Sequence, residues 1–401
     1  MSHAIAGGGI AALAAIRAIR RVDAAARITL VSAEDPCCYF RPMTPLVVRG
    51  ERRPEDLRPE ADALAGVRVV TGRATSLDAA ARVLGVEGGE RIPYERLLIA
   101  TGSSPCVPEI AGVGEPNVHY LRTLADALAL REAARPGAAA VVLGGGFVGI
   151  KTAEALAQRG VAVTVVEREG QILLPRLDAA GAALVAAALE ARGIALALRD
   201  TIAEILPRGR GVRLASGRAL ASDFVCIAVG VRPSVAWLAG SGVAVEKAVV
   251  VDERGQTSLP GVYAAGDVAQ IRDPVSGRSV VSALWTNAVQ MGRVAGTNMA
   301  GGTAAWAGGP EVFNAAEIEG VPMVSVGEVL AEGERAHRVR RGPVYRKLVL
   351  DGDVLSGAIF LGEVRNAGVY SALIAARTPL GRLKDKALAG TLTYADVALG
   401  R

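Results

Sequence analysis

Val141-Val-Leu-Gly-Gly-Gly-Phe-Val-Gly149 is the stretch that decides the fold of this chain. A short apolar run able to form a buried strand ends in glycines at 144, 146 and 149, and an Ala-rich helical pattern comes next. Val161-Ala-Val-Thr-Val-Val-Glu167 then reads as the next strand, with a carboxylate at its end. In that order Gly144 permits the tight turn, Gly146 lets a pyrophosphate approach the backbone, and Gly149 lets helix and strand pack. The helix N-terminus faces the negative charge. Glu167 is placed to accept hydrogen bonds from a ribose and would repel a 2′-phosphate, which favours NADH over NADPH, while the adjacent Arg168 works against that preference.

A bare GxGxxG says little in a chain with 48 glycines among 401 residues, where chance alone supplies about 0.7 matches. Context carries the reading. Residues 4–34 repeat the whole scheme, with Gly7, Gly9 and Ala12 at the three loop positions, an Ala-rich helix, and Arg27-Ile-Thr-Leu-Val-Ser-Ala-Glu34 ending in an acid. The bland alternative, a glycine-rich turn with no ligand, does not account for a duplicated unit.

Strand-like runs alternate with helical patterns from residue 4 to about 170, which predicts βαβ units and a parallel sheet. Beyond about residue 240 the pattern changes to short strands and turns over 249–266, then a helix over 281–299. The Gly- and Ala-rich stretch 301–309 reads as a boundary. Residues 345–350 and 354–361 read as a hairpin joined at Asp351-Gly352, with a helix over about 363–376 and a short polar end after it. The expected fold is α/β, with two Rossmann-like dinucleotide-binding domains and a small α+β C-terminal domain. The expected bounds are 1–111 with 247–308, 112–246, and 309–401.

Apolar residues make up 51% and charged residues 21% of the chain, which excludes disorder. At 4% aromatic content, extended stacking platforms for single-stranded nucleic acid are not expected. The apolar runs are far shorter than the roughly 20 residues of a membrane span, and the opening lacks the basic and apolar regions of a signal peptide, so a cytoplasmic protein is expected. Cys37, Cys38, Cys106 and Cys226 form no CxxC pair, and with His3, His119 and His337 scattered, no zinc site is expected. The net charge of +5 fits either a solvated surface or a basic docking face for an acidic protein. The densest basic run, 335–341, is too short for a nucleic-acid-binding tail.

Three further stretches extend the pattern: Leu98-Ile-Ala-Thr-Gly-Ser103, Ala228-Val-Gly-Val-Arg-Pro233, and Thr257-Ser-Leu-Pro-Gly-Val-Tyr-Ala-Ala-Gly-Asp267. With the two loops they make the whole chain resemble the pyridine nucleotide-disulfide oxidoreductase superfamily, of glutathione-reductase-like three-layer ββα fold. Within it the likeness is to flavoprotein reductases of the ferredoxin, rubredoxin and nitrite reductase type. The resemblance implies FAD at Gly7, Gly9, Ala12 and Glu34, with Thr101 and Gly102 crossing back along it and Gly266 and Asp267 at its ribityl chain. It places Arg41 and Pro42 in a loop over the flavin, and Trp285 and Ala288 on a helix beside the ring. NAD falls to Gly144, Gly146, Gly149, Glu167 and Gly230. From the residues alone, Asp267 also reads as an N-cap for the segment after it, and Trp285 as core packing.

The chain departs from the family pattern where many relatives pair a Lys after Arg-Pro with a Glu after the second loop. Here Leu46 and Lys151 stand instead. Lys151 is therefore a candidate catalytic residue, its ammonium stabilising negative charge on reduced flavin; its alternative is a snorkelling surface lysine. Adjacent Cys37 and Cys38 could close only a strained ring, and Cys106 and Cys226 read as buried small residues. The resemblance thus implies electrons passing from NADH through FAD to an external acceptor, a rubredoxin or ferredoxin-type protein or a reductase partner subunit. Alternatives are an NADH oxidase using oxygen and a flavin-binding interaction or sensor protein. The C-terminal domain of such relatives often serves dimerisation, which allows a homodimer.

Overall fold

Residues 1–207, 211–272, 277–308 and 313–399 are described by the computed structural model. They gather into two units: Met1–Thr44, Arg52–Pro105 and Val231–Gly309 in one, Pro45–Glu51, Cys106–Gly230 and Pro310–Arg401 in the other. The expected boundary at 301–309 ends on Gly309, which lies outside the described residues.

The first unit is built on a five-stranded parallel sheet in the order Val262–Ala264, Arg96–Ile99, Ser2–Ala6, Arg27–Ser32, Val67–Thr71. The N-terminal strand is central, with Ile5 in register with both Leu30 and Leu98. A strand buried on both faces needs continuous apolar residues, and Ala4-Ile5-Ala6 supplies them. Helices Ile10–Val22 and Trp285–Met299 pack backbone to backbone. A Cβ at Gly292 or Gly296 would lie 2.2 or 2.5 Å from the carbonyl oxygens of Ala11 and Ala15. Side chains Leu77, Leu84 and Ile92 from an antiparallel sheet of Ala74–Asp78, Val83–Val86 and Arg91–Pro93 join the same core.

That antiparallel sheet corrects the expected helix-strand alternation. Between residues 67 and 93 the chain runs through strands, because its β-branched runs are short and are closed by turns such as Gly88-Gly89, both with left-handed φ. The helix expected from 281 begins at Trp285, since Ser279–Val281 pairs as a strand with Ala269–Arg272.

Among the described residues the second unit holds three sheets, the smallest an antiparallel one of Ile202–Ile205, Val212–Leu214 and Ala219–Leu220. Its parallel sheet runs Ala195–Leu198, Ala162–Glu167, Ala139–Leu143, Phe224–Ile227, Val118–His119. Its larger antiparallel sheet runs Phe313–Ile318, Val321–Gly327, Val354–Leu361, Val344–Asp351, Ala336–Arg341. Helix Ala367–Ala376 covers one face through Tyr370 and Leu373, against Phe360. The hairpin turn sits at Gly352-Asp353 instead of Asp351-Gly352, because Asp351 stays paired with Val354. The next helix starts at Ala367, four residues later than expected, and the polar end forms two short helices, Lys384–Ala389 and Tyr394–Leu399.

One buried and one half-buried histidine give this fold a pH signature. His3 in the central strand is 2% exposed and neither ring nitrogen has a hydrogen-bond partner. Burial pushes its pKa below the ordinary value, and burial does the same to His119. A depressed histidine pKa means that the unfolded chain takes up protons first. Stability is therefore full above about pH 6.5 and is lost as pH falls toward the folded pKa, by at most about 1.4 kcal/mol per pH unit per histidine. Thermal unfolding between pH 7.5 and 5.5 is expected to show a falling Tm, with a shallower fall in His3→Leu.

Candidate dinucleotide sites

The first loop is shaped by what its glycines touch. Gly7 has φ +110°, and a Cβ there would sit 2.2 Å from the carbonyl oxygen of Ala100. At Gly8 it would meet Ser32 Oγ at 2.5 Å and Cys37 Cβ at 2.8 Å. Gly9, the N-cap of helix Ile10–Val22, is different: a Cβ there meets nothing within 4 Å, and no side chain caps the helix. The first-turn N–H groups thus face open space with the positive end of the helix dipole behind them. Ala12 is fully buried beneath.

Around this cradle the distant motifs converge. Glu34 accepts hydrogen bonds from the Tyr39 hydroxyl at 2.5 Å and the Arg41 guanidinium at 2.8 Å, so its carboxylate is fixed in place. Arg41 lies 4.9 Å from the centroid of the Tyr39 ring. Burial opposes its charge, but Tyr39, Glu34 and Asp267 more than offset this and raise its pKa. Pro42 is exposed in the short turn Arg41–Met43.

The crossing segment is held by Thr101 Oγ1 donating to Ser234 O at 3.0 Å and by Ser234 N donating to Gly102 O at 2.9 Å. Beyond it, Ser103–Pro105 pairs antiparallel with Val231–Pro233. Ser103 Oγ donates to Asp267 Oδ2 at 2.7 Å. Asp267 caps no helix: strand Ala269–Arg272 comes directly after it. Gly266 has φ +81°, and a Cβ on it would lie 3.2 and 3.6 Å from the methyl groups of Ala11 and Ala288. The Trp285 and Phe40 rings stand 5.8 Å apart, tilted by 36°. The sequence does not mark Ser103 as a partner of Asp267, although the residue ends the Leu98-Ile-Ala-Thr-Gly-Ser103 stretch.

The second cradle has the same construction. Gly144 has φ +113°, with a would-be Cβ 2.4 Å from Ala228 O, and at Gly149 the clash with Gly144 O would be at 1.9 Å. Gly146 caps helix Phe147–Ala157 with nothing within 4 Å and no side-chain cap. Glu167 Oε2 accepts from Gly145 N at 2.6 Å and Oε1 from Glu169 N at 2.9 Å. Arg168 points to solvent and pairs with Glu169 at 3.2 Å. Gly230 is exposed with φ +105°. Lys151 forms an ion pair with Glu154 at 2.6 Å and donates to the Glu317 carbonyl at 2.8 Å.

All four cysteines carry free thiols. Cys38 hydrogen-bonds to Cys37, which draws the Cys37 thiol down to about 7 and pushes that of Cys38 up, with burial adding to the latter. Cys226 is buried, which raises its thiol to about 12, whereas Cys106, expected buried, is half-exposed at the end of the crossing segment. Among the described residues no helix is long and apolar enough to cross a membrane, and no group of three His, Cys, Asp or Glu is placed to hold a metal.

Two uncapped, glycine-lined helix N-termini, each followed by a fixed acid near the end of the next strand, make two dinucleotide cradles, and with the family and relatives that match they make the chain an NAD(P)H-dependent flavin oxidoreductase. The chain belongs to the pyridine nucleotide-disulphide oxidoreductase family, whose profile matches residues 1–292. It is 35% identical over 402 residues to the NADH-dependent phenylglyoxylate dehydrogenase subunit epsilon of Aromatoleum evansii, covering 97% of this chain and 95% of that one. It is 36% identical over 272 residues to the biphenyl dioxygenase system ferredoxin–NAD(+) reductase component of Paraburkholderia xenovorans, covering 66% and 67%. The fold matches a ferredoxin reductase from Rhodopseudomonas palustris with a TM-score of 0.86 at 24% identity, over 94% of this chain and 95% of that one. The protein is an oxidoreductase of the ferredoxin/rubredoxin reductase type. Its family implies FAD and a pyridine nucleotide, and the open faces at Gly9 and Gly146 fit their diphosphates.

Proposed function

We propose that the protein takes electrons from NADH and delivers them through FAD to an external acceptor, a rubredoxin or ferredoxin-type protein or a reductase partner subunit. The observation that carries the nucleotide preference is Glu167, whose carboxylate is locked by two backbone N–H groups and cannot swing away from a 2′-phosphate. Arg168, the neighbouring cation able to offset it, is turned to solvent on Glu169. For the acceptor, support comes from the relatives, one named as a ferredoxin–NAD(+) reductase component and one as a subunit of a dehydrogenase.

Bound FAD supplies the redox chemistry, taking up a hydride and releasing electrons singly. The chain's residues hold and orient it. The unit with Gly7, Gly9 and Ala12 binds its diphosphate at the helix N-terminus; Glu34 serves the adenosine ribose, and Asp267, steadied by Ser103, the ribityl chain. Arg41, Pro42, Thr101, Gly102, Gly266, Trp285 and Ala288 would complete the residues that hold it. The other unit binds the nicotinamide nucleotide at Gly144, Gly146, Gly149, Glu167 and Gly230. Lys151 could act on flavin charge only by abandoning Glu154, which is 2% exposed and would be left a buried, unpaired charge. We read it as a tether.

The test is an anaerobic titration followed by flavin absorption. Full bleaching at about one equivalent of NADH, with kcat/KM at least about tenfold below this for NADPH, is the expected result. Consumption of about two equivalents would place a second redox group, Cys37 with Cys38, in the reaction. Rapid aerobic turnover without any added protein would replace the acceptor reading with an oxidase.

A further inference from the structure

Asp178 lies in the second unit, 4% exposed, at the N-cap of helix Ala179–Ala191, where it accepts Gly181 N at 3.0 Å. Its other oxygen receives three groups from the antiparallel sheet: Tyr345 Oη at 2.6 Å, Lys347 Nζ at 3.2 Å and Arg338 Nε at 3.4 Å. Strand geometry explains the convergence. Tyr345 and Lys347 are two residues apart and share a face, and Arg338 stands opposite Lys347 in the neighbouring strand. Lys347 is wholly buried and also pairs with Glu332 at 3.1 Å. Burial alone would raise the Asp178 pKa, but the Tyr345 hydroxyl, Gly181 N–H and Lys347 ammonium hold it below the ordinary carboxylate range.

This clasp holds the segment just after Glu167. Between Glu169 and Asp178 the chain buries Ile172, Leu173 and Leu177 and is braced by Gln171 Nε2 on Leu177 O at 2.9 Å. Leu173, with φ +57°, donates its N–H to Gly145 O at 2.8 Å. The N–H of that same Gly145 is the one bound by Glu167. Both polar groups of this cradle glycine are therefore fixed, one by the ribose acceptor and the other by a segment whose far end is anchored to the sheet. Docking alone would need only apolar contact, and Gly181 already brings the helix against Leu361 and Tyr345, with a would-be Cβ 3.3 and 3.5 Å away. An ion pair adds a fixed position.

We propose that Asp178, clasped by Lys347 and Tyr345, is a positioning residue for the nicotinamide nucleotide: the C-terminal sheet sets the geometry of the second glycine loop through the segment 168–178. The inference rests on the reading of that loop as the NADH site. The holoenzyme variants Tyr345→Phe, Asp178→Asn and Lys347→Met test it, with NAD+ binding measured by calorimetry and turnover by ferricyanide. Expected are a rise in Kd for NAD+ and KM for NADH of about tenfold in Asp178→Asn and Lys347→Met and about threefold in Tyr345→Phe, with kcat within twofold and unchanged flavin content. Tyr345→Phe keeps the buried ion pair and so carries the test if the other two fail to fold. A lowered Tm with unchanged Kd and KM would overturn the proposal and leave the NADH reading standing. If the wild type binds neither NAD+ nor NADH, the reading itself fails.

Discussion

Gly149→Val is expected to give a folded, yellow protein that NADH reduces at least about 100-fold less efficiently than the wild type. A Cβ at 149 would lie 1.9 Å from Gly144 O and 3.5 Å from Ala228 Cβ. No rotamer relieves a backbone contact of that kind, so the start of helix Phe147–Ala157 must move off the loop. Overpacking of this sort costs about 1–3 kcal/mol, which a domain of this size survives. Binding fares worse than folding, because the N–H groups that would meet the diphosphate belong to both the loop and the helix. The first cradle lies in the other unit, so flavin content is expected to stay at the wild-type level. Flavin content from the visible spectrum and kcat/KM from stopped-flow reduction decide the matter. A yellow protein with wild-type kcat/KM would show that the second cradle is not where the nicotinamide nucleotide binds.

The two cradles were legible in the sequence because their cause is local. Buried parallel strands demand apolar runs, and the turn between strand and helix demands glycine at Gly7 and Gly144, where φ is +110° and +113°. The strands over 67–93 were not legible: Val67–Thr71 and Ala74–Asp78 are exposed along much of their length, so no clean alternation marks them. Nor were the small closing helices, whose register depends on tertiary contact more than on pattern. Glu34 and Asp267 were readable as carboxylates at strand ends. Ser103 as the partner of Asp267 was not, since the two are 164 residues apart and only the folded sheet brings them together.

Lys347 shows the same limit from the other side. In the sequence it is one of two adjacent basic residues in Tyr345-Arg-Lys-Leu-Val-Leu350, and nothing in that run sets it apart. Its burial depends on a carboxylate 169 positions earlier, and charge pairing across such a distance leaves no periodic trace. Lys151 differs because its departure from the family pattern was visible, while its engagement by Glu154 and the Glu317 carbonyl was only half so: the first is three residues away on the same helix, the second across to another strand.

Gly9→Asp is expected to separate folding from flavin binding by moving them in opposite directions. Gly9 has φ −97° and ψ −172°, an extended conformation open to any residue, and a Cβ there touches nothing. As an N-cap, Asp is preferred to Gly and complements the helix dipole, so the apoprotein should be unchanged or more stable by about 0.5 kcal/mol. A diphosphate at the same N-terminus would then face a carboxylate. One unit charge at about 4 Å from another costs about 4 kcal/mol at a surface-like dielectric, or roughly 1000-fold in affinity. The variant should therefore purify colourless, with FAD added back failing to restore absorbance at concentrations that saturate the wild-type apoprotein, and with an apoprotein Tm at or above that of the wild type. A loop that is glycine-rich for its own sake would show the gain in Tm and keep its colour, because the open face at Gly9 would then have nothing to repel.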